Sequence, residues 1–131
     1  MSLPTPEALL PHRPPQLYLD RLVEWDGRRL VAEGQLDAAA LDPVAPLALV
    51  EGLAQAMGCL GRLNGQTGDA VLLGLESVAF PGPPTKPGRV RFEVTLLSHQ
   101  PRISEARGVA TSGDDGAERI LCTATLRAAL L

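Results

Sequence analysis

Histidine is almost missing from this chain of 131 residues, which has only His12 and His99, and cysteine is equally rare, at Cys59 and Cys122. With neither a CxxC pair nor a Cys/His spacing suited to zinc, no metal site is expected, and no cofactor. The two cysteines read as small core residues in a reducing compartment. Aromatic side chains are limited to Tyr18, Trp25, Phe80 and Phe92, too few for a base-stacking platform. The net charge of −3 lacks the excess of Lys and Arg that a nucleic-acid surface needs, so no nucleic-acid partner is expected. No segment reaches the ~20 consecutive apolar residues that span a bilayer. The opening MSLPTPEALLPHRPP has no basic start followed by an apolar run. The expectation is a cytoplasmic protein without a membrane partner.

What is present is an ordinary globular composition, 45% hydrophobic and 21% charged, in a length that suits one domain over residues 1–131. Thr5, Pro6 and Glu7 form an N-cap, a first-turn proline and an acid favourable to the helix dipole, predicting a short helix that Pro11 stops. LYLDRLVEW and RRLVAEGQL flank Asp26-Gly27 and predict a two-stranded hairpin. A loop follows, and either Asp42-Pro43 or Pro46 opens a long helix that Asn64-Gly65 ends. Beyond it the period changes to two. AVLLGLESVAF, RVRFEVTLLSH, RISEARGVATS and RILCTATLRAAL predict four strands, the last less cleanly alternating. In the second of these, Val90, Phe92, Val94 and Leu96 share one face, and Arg89, Arg91, Glu93 and Thr95 the other.

The long helix, LALVEGLAQAMGCLGRLNG, is apolar and small around most of its girth, with Glu51, Gln55, Gly58 and Arg62 within one narrow stripe. Such a helix is buried on most sides, and a strongly curved antiparallel sheet wrapped around it supplies the cover. This α+β arrangement, one long central helix gripped by a sheet, is the hotdog fold. Gly52, Ala54, Ala56, Gly58 and Gly61 would let the sheet approach closely. A lone carboxylate there is costly to bury unless paired or protonated, so Glu51 either pairs with an Arg at a wet or subunit face or acts as a tuned acid or base on an apolar pocket.

Particular residues carry a resemblance to a known family. LLPHRPPQLYLDRLVEWDGRRLVAEGQL, LVEGLAQAMG, LLGLESVAF and KPGRVRFEVTLL resemble the opening, the central helix and the next two strands of the 3-hydroxyacyl-(acyl carrier protein) dehydratases, over about residues 9–126. The resemblance implies a homodimer with acyl-thioester sites at the subunit interface. It implies a carrier-protein or CoA thioester as substrate, and elimination of water to a trans-2-enoyl thioester in fatty-acid or polyketide-type biosynthesis. In that family a His abstracts the C2 proton, and an acid on the other subunit's central helix protonates the departing hydroxyl. Glu51 matches that acid. Gln55 matches the amide four residues on, placed to orient Glu51 or a water. By the same resemblance Gly58, Phe80, Pro87 and Gly88 are expected in substrate binding.

The chain departs from the family where the base should be. A His-Phe-Pro-Gly run precedes the acid there, whereas this chain reads QLDAAALDPVAPLALVE, with Asp37 at the counted-back position. The base is then His12, His99, a carboxylate, or absent. His12 lies in a stiff PHRPP segment and is the candidate base, or a structural hydrogen-bonding residue; His99, before Gln100-Pro101, reads as a solvated turn residue. Dehydratases predicted from aryl-polyene pigment clusters also resemble this chain around PHR and VEGLAQ and also lack the run. Three readings stay open: a dehydratase using Glu51 and His12, a hotdog acyl-thioester hydrolase using the carboxylate alone, and a catalytically silent acyl-thioester binding module. Lys86, Arg89, Arg91, Arg102 and Arg107 are a candidate basic patch for an acidic carrier protein, or a solvated face. The family's basic residues after Phe80 are replaced by Pro81 and Gly82.

Overall fold

The computed structural model describes residues 2–36, 45–68, 70–82, 88–112 and 118–130. Asp37, Asp42-Pro43, Lys86 and Pro87 lie outside the described residues. The element order is α1 (Pro6–Leu9), β1 (Arg21–Trp25), β2 (Arg29–Leu36), α2 (Ala45–Leu63), β3 (Ala70–Ala79), β4 (Gly88–His99), β5 (Ile103–Ser112) and β6 (Arg119–Leu130). The six strands form one sheet in the order β1-β2-β4-β5-β6-β3, every neighbouring pair antiparallel.

Local chemistry explains where the elements begin and end. Asp26 Oδ1 accepts the backbone N–H groups of Arg28 and Arg29, and Gly27 takes φ +90°, so the hairpin turn closes as the sequence predicts. Those two accepted hydrogen bonds, from Arg29 and then Arg28, hold the Asp26 carboxyl below the usual carboxylate range. Helix α2 ends in a Schellman motif: Gln66 N–H bonds to Gly61 C=O, Gly65 N–H bonds to Arg62 C=O, and Gly65 sits at φ +93°. The first strand is shorter than expected. Its leading residues are drawn off to the helix, because the Tyr18 N–H donates to the Gln55 side chain instead of to a neighbouring strand.

The core lies between α2 and the sheet. Leu49, Leu53, Ala56 and Leu60 recur at helical spacing and are essentially buried, as are Val90, Phe92 and Val94 on the facing side of β4. Each large apolar side chain removed from water contributes about 1.5–3 kcal/mol. A methyl group at Gly52 would overlap the Phe92 ring, so the glycine is what allows helix and sheet to meet there. Cys59 and Cys122 are free thiols inside this core, and burial pushes them up to about 12 and about 11.

Two faces remain uncovered. The Glu51, Ala54, Gly58 and Arg62 side of α2 borders a cleft instead of the sheet. Strand β3 is exposed along its whole length, with Val71, Leu72, Leu73, Leu75 and Val78 open to solvent, because it is the terminal strand and among the described residues pairs only with β6. The single wet side expected of β4 does not extend to β3. It is found on β2, β4 and their neighbours, where Glu33 meets Arg21 and Arg89, and Arg29 bridges Glu24 and Glu93.

Candidate active site

The cleft encloses about 530 Å³ and runs along the open side of α2. Its apolar lining includes Ala54, Met57, Leu60, Leu72 and Leu96, and nine of its 23 lining residues are polar or charged. His12, Glu51, Gln55, Gly58 and Arg62 all line it, so the sequence stripe on the helix and the histidine of the N-terminal segment come together.

Residues 10–18 deliver His12. Leu10 N–H closes α1 on Pro6, and the Arg13 guanidinium donates back to the carbonyls of Leu10 and His12, fixing the turn. Gln55, one turn below Glu51 and only 2% exposed, anchors the segment beyond that turn: its Oε1 accepts from Tyr18 N–H at 2.8 Å and its Nε2 donates to Gln16 C=O at 2.7 Å. The same Nε2 lies 3.3 Å from Glu51 Oε1. A buried amide satisfied on both ends is a rigid fixture.

The outcome is a carboxylate and an imidazole side by side in one chain. His12 Nε2 stands 3.6 Å from Glu51 Oε1. The side chains are 35% and 47% exposed, so Glu51 is a half-open group at the rim of the cleft. The reason is the cleft itself, since among the described residues no strand covers that helix face. His12 Nδ1 is buried and has no hydrogen-bond partner among the described residues.

Other expected positions lie elsewhere. Phe80 follows the far end of β3, roughly 26 Å along the strand from the Leu72 that touches the cleft. Gly88 opens β4 opposite Leu36, also away from the cleft. The basic residues are dispersed: Arg89 is tied to Glu33, Arg107 donates to Thr125 Oγ1, and Arg102 lies at the cleft. His99, read as a turn residue, is exposed at the end of β4, yet it lines the cleft together with Arg102 and Ser104. Only the antiparallel register, which sets His99 opposite Ser104, could have signalled that grouping.

The same architecture occurs in solved structures. Across 98% of this chain and 92% of the other, it matches a chain of the dehydratase heterocomplex ApeI:P from Xenorhabdus doucetiae, with a TM-score of 0.81 at 17% identity. A mutant thioesterase from Pseudomonas aeruginosa matches over 85% of this chain and 80% of its own, with a TM-score of 0.69 at 21% identity. At those identities the likeness carries the fold, and the class it defines is the α+β hotdog proteins. No protein-family model matches the chain. In sequence it is 33% identical over 122 residues to the 3-hydroxyacyl-(acyl-carrier-protein) dehydratase FabZ of Anaeromyxobacter dehalogenans, covering 79% of this chain and 76% of that protein. The FabZ of Solibacter usitatus is 30% identical over 116 residues, covering 79% and 72%. The chain belongs to the FabZ dehydratase family.

Proposed function

We propose that the protein is a 3-hydroxyacyl-thioester dehydratase in which His12 is the general base and Glu51 the general acid. The observation that carries the reading is the 3.6 Å approach of His12 Nε2 to Glu51 Oε1 at the rim of an apolar cleft. The step requires a neutral imidazole and a protonated carboxyl. Nε2 takes the C2 proton, the electron pair of that bond becomes the C2–C3 double bond, and the C3–O bond breaks as Glu51 hands its proton to the departing hydroxyl. Water and a trans-2-enoyl thioester result. Passage of the abstracted proton from His12 to Glu51 resets the pair, and their proximity suits that transfer. Gln55 positions the acid, while Gly58 leaves room for the chain beside the helix.

The substrate arrives on an acyl carrier protein or on CoA, in the cytoplasm, and the whole chain acts as one domain. The assembly is a homodimer joined along the open edge of β3, where apolar side chains on both faces and a free row of backbone groups ask for a second strand. Phe80, Pro87 and Gly88 then bind substrate from the partner's side of that interface.

A second reading, a thioester hydrolase in which Glu51 activates water alone, is favoured by the absence of histidine from residues 37–44 and by the exposure of Glu51. Two assays separate them: hydration of a crotonyl thioester, followed by loss of ultraviolet absorbance, and thiol release from a saturated acyl thioester. Hydration lost in both Glu51→Gln and His12→Ala supports the dehydratase. Thiol release sensitive to Glu51→Gln alone supports the hydrolase, and neither activity leaves a silent binding module.

A further inference from the structure

The cleft has a second polar end. Glu51 and Arg62 are eleven residues apart on α2, which places the helix's C-terminal turn about 16 Å beyond the catalytic pair. Asn64 Nδ2 donates to Gly27 C=O and Leu96 N–H bonds to Arg28 C=O, so the end of β4 runs beside the end of α2. His99, Arg102 and Ser104, just beyond Leu96, line the same cleft as Arg62, Leu60 and Leu72.

This end is built, not frayed. Gln100 N–H bonds to Ile103 C=O at 2.8 Å, closing a four-residue turn with Pro101 and Arg102 at its centre, so the arginine stands on a fixed backbone. His99 Nδ1 lies 2.8 Å from Ser104 Oγ across the β4-β5 ladder. In the tautomer whose Nδ1 accepts from the Ser104 hydroxyl, Nε2 carries the ring proton and is a donor. Arg21, Arg29, Arg89 and Arg127 on the sheet all meet carboxylates, and Glu105 is taken by Arg127. Arg102 makes no ion pair among the described residues.

We propose that Arg102 and His99 form a binding site for an anionic group, carboxylate or phosphate, on a ligand whose reacting carbons lie at His12 and Glu51. The inference rests on the acyl-thioester reading above. The anion has two chemical sources, a phosphate of the carrier arm or a carboxylate at the far end of the acyl chain. Ser104 is a positioning residue that orients the imidazole. An uncharged ligand end would leave the guanidinium without a partner, and a methyl-ended chain on an uncharged arm would gain nothing from this end of the cleft.

The test is calorimetric binding of three ligands that cannot turn over: the butyl thioether of 4′-phosphopantetheine, the butyl thioether of pantetheine, and a thioether of pantetheine carrying an ω-carboxyalkyl chain. Arg102→Ala should weaken one of the two charged ligands by about 10-fold to 100-fold, the range for a lost charged hydrogen bond, and leave the uncharged butyl-pantetheine unaffected. Loss confined to the phosphopantetheine ligand assigns the site to the arm's phosphate; loss confined to the carboxyalkyl ligand assigns it to the acyl end. Arg102→Lys should recover part of the lost affinity. Unchanged binding of both charged ligands, or equal weakening of all three, overturns the proposal. Because the readout is binding, a protein that discriminates in this way yet dehydrates nothing would refute the dehydratase reading while this inference stood.

Discussion

At the scale of single residues, Glu51 and His12 are separable from stability because both lie at a half-open rim. Glu51→Gln keeps shape and loses only proton chemistry, and should reduce dehydration by at least about 10²-fold with an unchanged melting temperature; wild-type rates would make the carboxylate structural. His12→Ala should cost about 10²-fold to 10⁴-fold in the same assay. The thiols make a contrasting case. Burial raises Cys59 to about 12, so the folded state holds that proton where the unfolded chain, near the ordinary value of 9.0, releases it. Stability from this source is complete below pH 9 and falls as pH rises toward 12. Denaturant midpoints measured between those limits should decline, and thiol reagents at neutral pH should label Cys59 only after unfolding.

Elements were legible wherever local chemistry dominates. Asp26-Gly27 and Asn64-Gly65 mark their turns by backbone demands that few other residues meet, and the alternation of Val90, Phe92 and Val94 follows directly from one-sided burial. What the sequence concealed was set by long-range placement. Nothing near Glu51 announces His12, thirty-nine positions away in the chain, and the exposure of β3 depends on its place at the end of the sheet, which alternation does not encode. The stripe of Glu51, Gln55, Gly58 and Arg62 was readable as a common face, but that Gln55 is the buried member and Glu51 the open one was not. The closeness of helix and sheet gives a test at this scale. Gly52→Ala raises helix propensity yet drives a methyl into Phe92, and the overpacking should win, lowering stability by about 1–3 kcal/mol in chemical denaturation. A gain in stability would mean that the ring moves aside freely.

For the whole molecule, the question is what covers β3. An exposed edge strand rich in apolar side chains is a hazard in a monomer, and pairing with a second copy removes it. Light scattering should give a dimer at micromolar concentration, and Leu73→Lys should shift it toward monomer while the approach of His12 to Glu51 within each chain stays intact. A wild-type monomer would refute this assembly. The clamp at Gln55 has a consequence of a different kind. Since the Tyr18 amide hydrogen is held by a side chain of the helix, its exchange with deuterated solvent is governed by the docking of the N-terminal strap and not by the opening of any ladder. That one amide is a built-in reporter. Gln55→Ala should release it to fast exchange while amides in the centre of β4 stay slow, and the separation of the two rates would measure how tightly the segment that carries His12 is fastened.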